Sequence, residues 1–140
     1  MLRRTATVVG LTAALAAVSG APALACPPPA KADRLVITYQ ESPTAPVERF
    51  VLECHPAGGN HPQAKEACAA VERASGDRAA PSVWEPVGEH QMCTQIYGGP
   101  QTARITGEWR GRAVDARFSR DNGCEIHRWE RLTPALPEVR

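Results

Sequence analysis

Five cysteines, at positions 26, 54, 68, 93 and 124 of a 140-residue chain, limit what this sequence can fold into more than any other feature. Whether they act as staples, metal ligands or redox thiols depends on the compartment. Met1 to Ala25 has the three parts of an export signal: basic Arg3-Arg4, a mostly apolar run from about Ala6 to Val18, and the small-residue ending Ala23-Leu24-Ala25 suited to a signal peptidase. A membrane anchor is the weaker alternative. The apolar run falls short of the ~20 residues that a spanning helix needs, and Ser19-Gly20-Ala21-Pro22 interrupts it. Export places the cysteines in an oxidising compartment, where an even set forms disulfides. Five is odd, and Cys26, which would open the mature chain ahead of the domain, is the one left over. It is read as a free or intermolecular thiol. Lipidation ranks second, because Ala23 stands where lipoprotein signals usually carry Leu. The other four allow three pairings, and spacing alone does not choose among them.

Charge excludes further classes. Of 16 Lys+Arg, Arg3 and Arg4 fall in the leader, which leaves 14 against 15 Asp+Glu. A mature chain this close to neutral calls for neither nucleic acid nor an anionic membrane. Its length suits one domain with a modest core, small enough to gain from covalent staples.

Residues 26–33, Cys26-Pro27-Pro28-Pro29-Ala30-Lys31-Ala32-Asp33, form a proline-rich extended spacer. Leu35, Ile37 and Tyr39 then alternate with Val36, Thr38 and Gln40, the period of a strand with one buried face. After a turn through Pro43 and Pro46, Val47 to Cys54 alternates again, with Phe50, Leu52 and Cys54 on one side. His55-Pro56-Ala57-Gly58-Gly59 stops that strand. Asn60 and Gln63 read as a capping box for a helix from about Pro62 to Ala74, with Ala64, Ala67, Cys68 and Val71 inward and Gly76 closing it. Asp77 to Gln91 lacks periodicity and is expected as a loop anchored by Trp84. Thr102–Trp109 and the stretch carrying Val114, Ala116 and Phe118 predict a hairpin reversing at Arg110-Gly111. A short strand is expected over Glu125–Trp129, and 131–140 is expected as a flexible tail. The whole predicts an α+β domain: an antiparallel sheet of about five strands with one main helix on one face, and a second short helix as an option.

Met92-Cys93-Thr94-Gln95-Ile96-Tyr97-Gly98-Gly99-Pro100 stands out from this pattern. A half-cystine fixes one end, and the glycines with proline fix how the chain leaves, so Thr94 to Tyr97 should be held extended with side chains offered to solvent. A serine protease accepts that shape in its cleft. Such a loop binds tightly because its ordering is met by the fold before association.

Several landmarks occur in a fixed order: Cys54 and Cys68 flanking a His61-Pro62-initiated helix, Met92-Cys93 before the loop, Gly107-Glu108-Trp109-Arg110-Gly111, and Asn122-Gly123-Cys124-Glu125. Together they resemble the subtilisin-inhibitor-like family of small secreted serine-protease inhibitors, over about Leu35 to Glu130, and so assign residues 34–130 to one such domain. The resemblance implies pairs Cys54–Cys68 and Cys93–Cys124, and a reactive bond with Gln95 on the acyl side and Ile96 on the leaving side. Met92, Cys93, Thr94 and Tyr97 would be the flanking contacts. It also implies a subtilisin-like serine endopeptidase as partner and a homodimer formed by sheet packing, to which Arg49 and Val51 could contribute. Thr94 stands where the family usually has proline, and Gly98-Gly99-Pro100 replaces a shorter acidic-proline turn.

Other chemistry is less well supported. A zinc site on Cys54, His55, His61 and Cys68 lacks paired Cys-x-x-Cys spacing and would need reduced thiols. The histidines 55, 61, 90 and 127 and serines 42, 75, 82 and 119 match no nucleophile motif, so a binding protein is expected rather than an enzyme, with no cofactor and no metal. Arg104, Arg110, Arg112, Arg117 and Arg120 read as an ordinary solvated face, His127 as a strand-surface residue, and Trp109 and Trp129 as core or interface aromatics. The expected function is a secreted serine-protease inhibitor; the alternative is a non-inhibitory extracellular or cell-envelope domain of the same fold.

Overall fold

A computed structural model describes residues 33–140. The expected export signal at 1–25, Cys26 and the spacer up to residue 32 lie outside the described residues. Asp33, assigned to the spacer, instead opens the first strand, β1 (Asp33–Gln40). Its carboxylate is held there by the backbone N–H of Arg110 at 2.6 Å and by His55 Nδ1 at 3.0 Å.

Alternation in β1 buries Leu35, Ile37 and Tyr39 as expected. This strand is central. On one side it pairs antiparallel with β2 (Val47–Cys54), Leu35 opposite Leu52. Gly58–Gly59, read as a strand stop, adds a two-residue edge strand, β3, to β2. Helix α1 (Ala64–Gly76) follows. It starts two residues later than expected because Asn60 does not cap it: Asn60 Oδ1 accepts the Val51 N–H at 2.5 Å, and the Asn60 N–H bonds Val51 O at 3.0 Å, so that residue prolongs the sheet. Gln63 occupies the cap position, its own N–H bonded to His61 Nδ1 at 3.1 Å. Ala67, Ala70, Val71 and Ala74 lie against the sheet, a small-residue face that lets the helix approach closely.

On the other side of β1 lies β4 (Thr102–Trp109), with Ile37 opposite Ile105, and a reversal at Arg110-Gly111 returns the chain as β5 (Arg112–Phe118). Among the described residues the sheet is thus five-stranded, in the order β3-β2-β1-β4-β5, with both helices on one face. The disulfides Cys54–Cys68 and Cys93–Cys124 are both formed, as the family resemblance implied.

Two expectations at the C-terminal end are overturned. Glu125–Trp129 is not a strand but part of helix α2 (Gly123–Glu130), so His127 is an exposed helical residue. The helix is favoured because Asn122 Oδ1 accepts the Glu125 N–H at 3.0 Å, an N-cap bond, and because helical spacing buries Arg128 and Trp129 together. Nor are residues 131–140 a loose tail. Leu132 and Leu136 are fully buried and Ala135 nearly so, each leucine contributing roughly 1.5–3 kcal/mol by leaving water. Trp129 Nε1 donates to Pro137 O at 2.8 Å and fastens the segment to the core.

The 77–91 connection is tied down from beneath. Val83 is fully buried beside the expected anchor Trp84, which packs partly against the core. Buried Arg128 donates to Val83 O at 2.9 Å and to Arg117 O at 2.7 Å, with its guanidinium 4.2 Å from the Phe118 ring. Sharing its charge with Glu125 at 3.2 Å makes that burial tolerable.

Candidate functional site

Residues 92–99 carry neither helix nor strand, and the side chains in their middle point outward. Met92 is 95% exposed, Ile96 61% and Tyr97 65%, an unusual concentration of large apolar side chains in water. Thr94 and Gln95 are exposed as well, and Cys93 is half-buried. Five of the six residues expected to meet a partner are therefore presented together at the surface, and Cys93 is turned inward to its disulfide.

What positions them is the short segment Arg120–Cys124, which the loop meets at both ends. On the entry side Cys93 is bonded to Cys124, Cα to Cα 5.4 Å, and Thr94 O accepts the Gly123 N–H at 2.9 Å. On the exit side the Gly98 N–H donates to Arg120 O at 2.7 Å, and Arg120 Nε donates back to Gly98 O at 3.0 Å. Only Gln95, Ile96 and Tyr97 lie between the two anchors. Gln95 Nε2 reaches back to Cys93 O at 3.4 Å. A Cβ at Gly98 would stand 2.8 Å from the Ile126 side chain of α2, so a larger residue fits here only if that side chain shifts.

The anchoring segment is rigid because α2 begins in it and Trp129, on that helix, is fully buried. Arg120 was expected on the solvated hairpin row; instead it is only 7% exposed, its guanidinium 5.9 Å from the Trp129 ring centroid. The remaining arginines of that row are exposed as expected, Arg104 bridging Asp115 at 2.7 Å and Arg110 paired with Glu72. The nearest sequence signal for Arg120 was its place just ahead of Asn122-Gly123-Cys124-Glu125, where an Asn with Glu three residues on marks a helix start.

Beyond Gly98 the chain re-enters the core through Gln101, a buried residue whose Nε2 donates to Glu41 Oε1 at 3.0 Å. The Tyr39 hydroxyl donates to the other oxygen of the same carboxylate. The two donors hold the Glu41 carboxyl below its ordinary range, whereas burial and the adjacent carboxylate push the Tyr39 phenol up. Tyr39 in turn packs edge-on to Trp129, ring centroids 6.2 Å apart, so both sides of the exit rest on that indole.

Beside the entry side lies an open groove of about 380 Å³, lined in part by Pro86, Val87, Met92, Thr94 and His127. Among the described residues, no group of three or more His, Cys, Asp or Glu side chains is placed to hold a metal ion. Ser42, Ser75 and Ser82 hydrogen-bond with Thr44, the Val71 carbonyl and the Trp84 N–H respectively.

Comparison with known proteins bears on this arrangement. Residues 32–122 match the family described as subtilisin inhibitor-like. The chain is 41% identical over 93 residues to subtilisin inhibitor-like protein 1 of Streptomyces cacaoi, covering 65% of this chain and 82% of that one. It is 34% identical over 134 residues to the subtilase-type protease inhibitor of Streptomyces coelicolor, covering 86% and 88%. A solved structure, Streptomyces caespitosus sermetstatin in complex with Bacillus licheniformis subtilisin, is similar with a TM-score of 0.46 and 23% identity, over 76% of this chain and 100% of that one. The names of these two sequence relatives are those of protease inhibitors, in line with a binding protein rather than an enzyme. With the family match extending over most of the chain, this protein belongs to the subtilisin inhibitor-like family.

Proposed function

We propose that this protein is a secreted inhibitor of subtilisin-like serine endopeptidases and that Gln95–Ile96 is the bond it offers them. The observation that carries this reading is the three-residue span Gln95–Tyr97, exposed and fixed at both ends to the single segment Arg120–Cys124. A protease binding the span would not have to freeze a flexible peptide, so contact energy goes into affinity. If the bond is attacked, the disulfide keeps the two fragments in one molecule, and Ile96 can return to the acyl group before water does.

Gln95 would enter the primary specificity pocket. Being uncharged, it cannot pair with the acidic pocket floor of a trypsin-like enzyme, so proteases with broad pockets are the better targets. Titrating active subtilisin with the mature protein tests the whole proposal: a stoichiometric endpoint is expected, and rapid digestion of the protein without an endpoint would overturn it.

We also propose a homodimer packed through the sheet face that carries no helix. Val36 and Val51 sit opposite each other there, beside exposed Val47 and Arg49. Sedimentation velocity should give twice the monomer mass, and a monomer at micromolar concentration would remove this part.

A further inference from the structure

We infer that Arg120 is the positioning residue for the leaving side of the loop, the group that keeps the Ile96 amine in place after the bond is opened. This rests on reading Gln95–Ile96 as the reactive bond. In that step the protease serine oxygen bonds to the Gln95 carbonyl carbon, the C–N bond breaks, and Ile96 nitrogen takes a proton and becomes a free amine. Attack of that amine on the ester restores the peptide and the serine hydroxyl; attack of water instead releases a Gln95 carboxyl group. The partition depends on how long the amine stays near the ester.

The entry-side anchors act farther from the amine. Cys93 and Thr94 belong to the acyl fragment, which the enzyme holds covalently, and the disulfide keeps the amine fragment in the molecule through Cys124, far along the chain from Ile96. On the amine fragment only Tyr97 separates Ile96 from Gly98, and Gly98 is held at both its N–H and its carbonyl by Arg120. One of those two bonds comes from the side chain, and the side chain cannot drift, since it is buried and lies over Trp129. A side chain at Gly98 would crowd Ile126 as well, so the chain runs close to α2 at this point.

The test uses Arg120→Met, which keeps an apolar stem on Trp129 and removes the Nε donor, and Arg120→Lys, which keeps a donor. Each protein is brought to equilibrium with a catalytic amount of subtilisin, and the ratio of cleaved to intact Gln95–Ile96 is read by mass spectrometry. Arg120→Met should raise that ratio by about tenfold, the effect of losing one charge-assisted hydrogen bond, and Arg120→Lys should return it toward the parent value. Global stability does not enter the ratio while all three proteins are folded, which thermal unfolding checks. In the free proteins, exchange of the Gly98 amide should quicken in Arg120→Met by a similar factor while the Gly123 amide, bonded to Thr94, stays unchanged. An unaltered ratio together with unaltered Gly98 exchange would overturn the inference. If the parent gives no endpoint with subtilisin yet Gly98 exchange still responds, the inhibitor reading fails and the holding role of Arg120 stands.

Discussion

Gly123 donates its N–H to the Thr94 carbonyl at 2.9 Å, and the two residues are packed so closely that a Cβ on Gly123 would lie 2.0 Å from Thr94 Oγ1. A methyl group there must push Thr94 into another rotamer or lift it off α2, and Thr94 immediately precedes Gln95. Gly123→Ala should therefore weaken subtilisin inhibition by about tenfold or more, ~1.4 kcal/mol per decade. Adding Thr94→Ala removes the offending hydroxyl and leaves the next contact at 3.3 Å. The double variant should recover most of the loss, a coupling that a double-mutant cycle on inhibition constants measures. Additive effects would mean that the two positions act independently.

The two disulfides should separate stability from inhibition. Cys54–Cys68 closes a ring with sequence separation 14 between β2 and α1, away from the loop. Replacing both cysteines by alanine should cost roughly 3 kcal/mol on the loop-entropy scale and leave inhibition intact wherever the protein is still folded. Cys93–Cys124 spans 31 positions and ends at the loop itself. Its removal should cost a little under about 4 kcal/mol and also turn the inhibitor into a substrate that subtilisin consumes. Equal residual inhibition from both double variants at a permissive temperature would mean that the second bridge is only a staple.

The sheet and α1 were legible because their burial is local and periodic: Leu35, Ile37 and Tyr39 alternate, and so do Ala103 and Ile105 with Ala116 and Phe118, as they do in the folded protein. The loop was legible as an interruption of that pattern. What escaped was everything fixed by tertiary partners. Glu125–Trp129 reads as strand only if the Asn122 cap is overlooked, and Leu132 and Leu136 sit among prolines that suggest a tail, although their partners lie far back in the chain. Apart from the helix start that follows Arg120, neither Arg120 nor Arg128 carries a sign of burial in its neighbours. They are buried because carbonyls of Gly98, Val83 and Arg117 await them, and those come from three other segments.

Gln95→Lys provides a direct test of the assigned bond. A lysine in the primary pocket would pair with the acidic floor of a trypsin-like enzyme, and a buried charge pair of that kind is commonly worth a few kcal/mol. Trypsin inhibition should therefore strengthen by at least about a hundredfold, with subtilisin inhibition changing far less. The side chain is exposed and bonded only to Cys93 O at 3.4 Å among the described contacts, so the fold should not notice the change. Unchanged trypsin inhibition would place the reactive bond elsewhere.

Acid should act first on the start of α1. Burial depresses the affinity of His61 for a proton below its ordinary value of 6.5. The neutral ring is the one that fits, with Nε2 donating to Ala135 O at 3.3 Å and Nδ1 accepting the Gln63 N–H at 3.1 Å. Protonation would abolish that acceptor and place a positive charge at a helix N-terminus. The sign follows from linkage: the unfolded chain binds the proton more readily, so stability is full above about pH 6.5 and falls as pH drops through the window beneath it. The Glu41 carboxyl, held below its ordinary 4.5, adds its own loss only at lower pH, which keeps the two windows apart. His61→Gln retains an acceptor for Gln63 and cannot titrate. Its midpoint temperature should change less than that of the parent between about pH 7 and pH 5, and parallel curves for the two proteins would assign the acid sensitivity to another group.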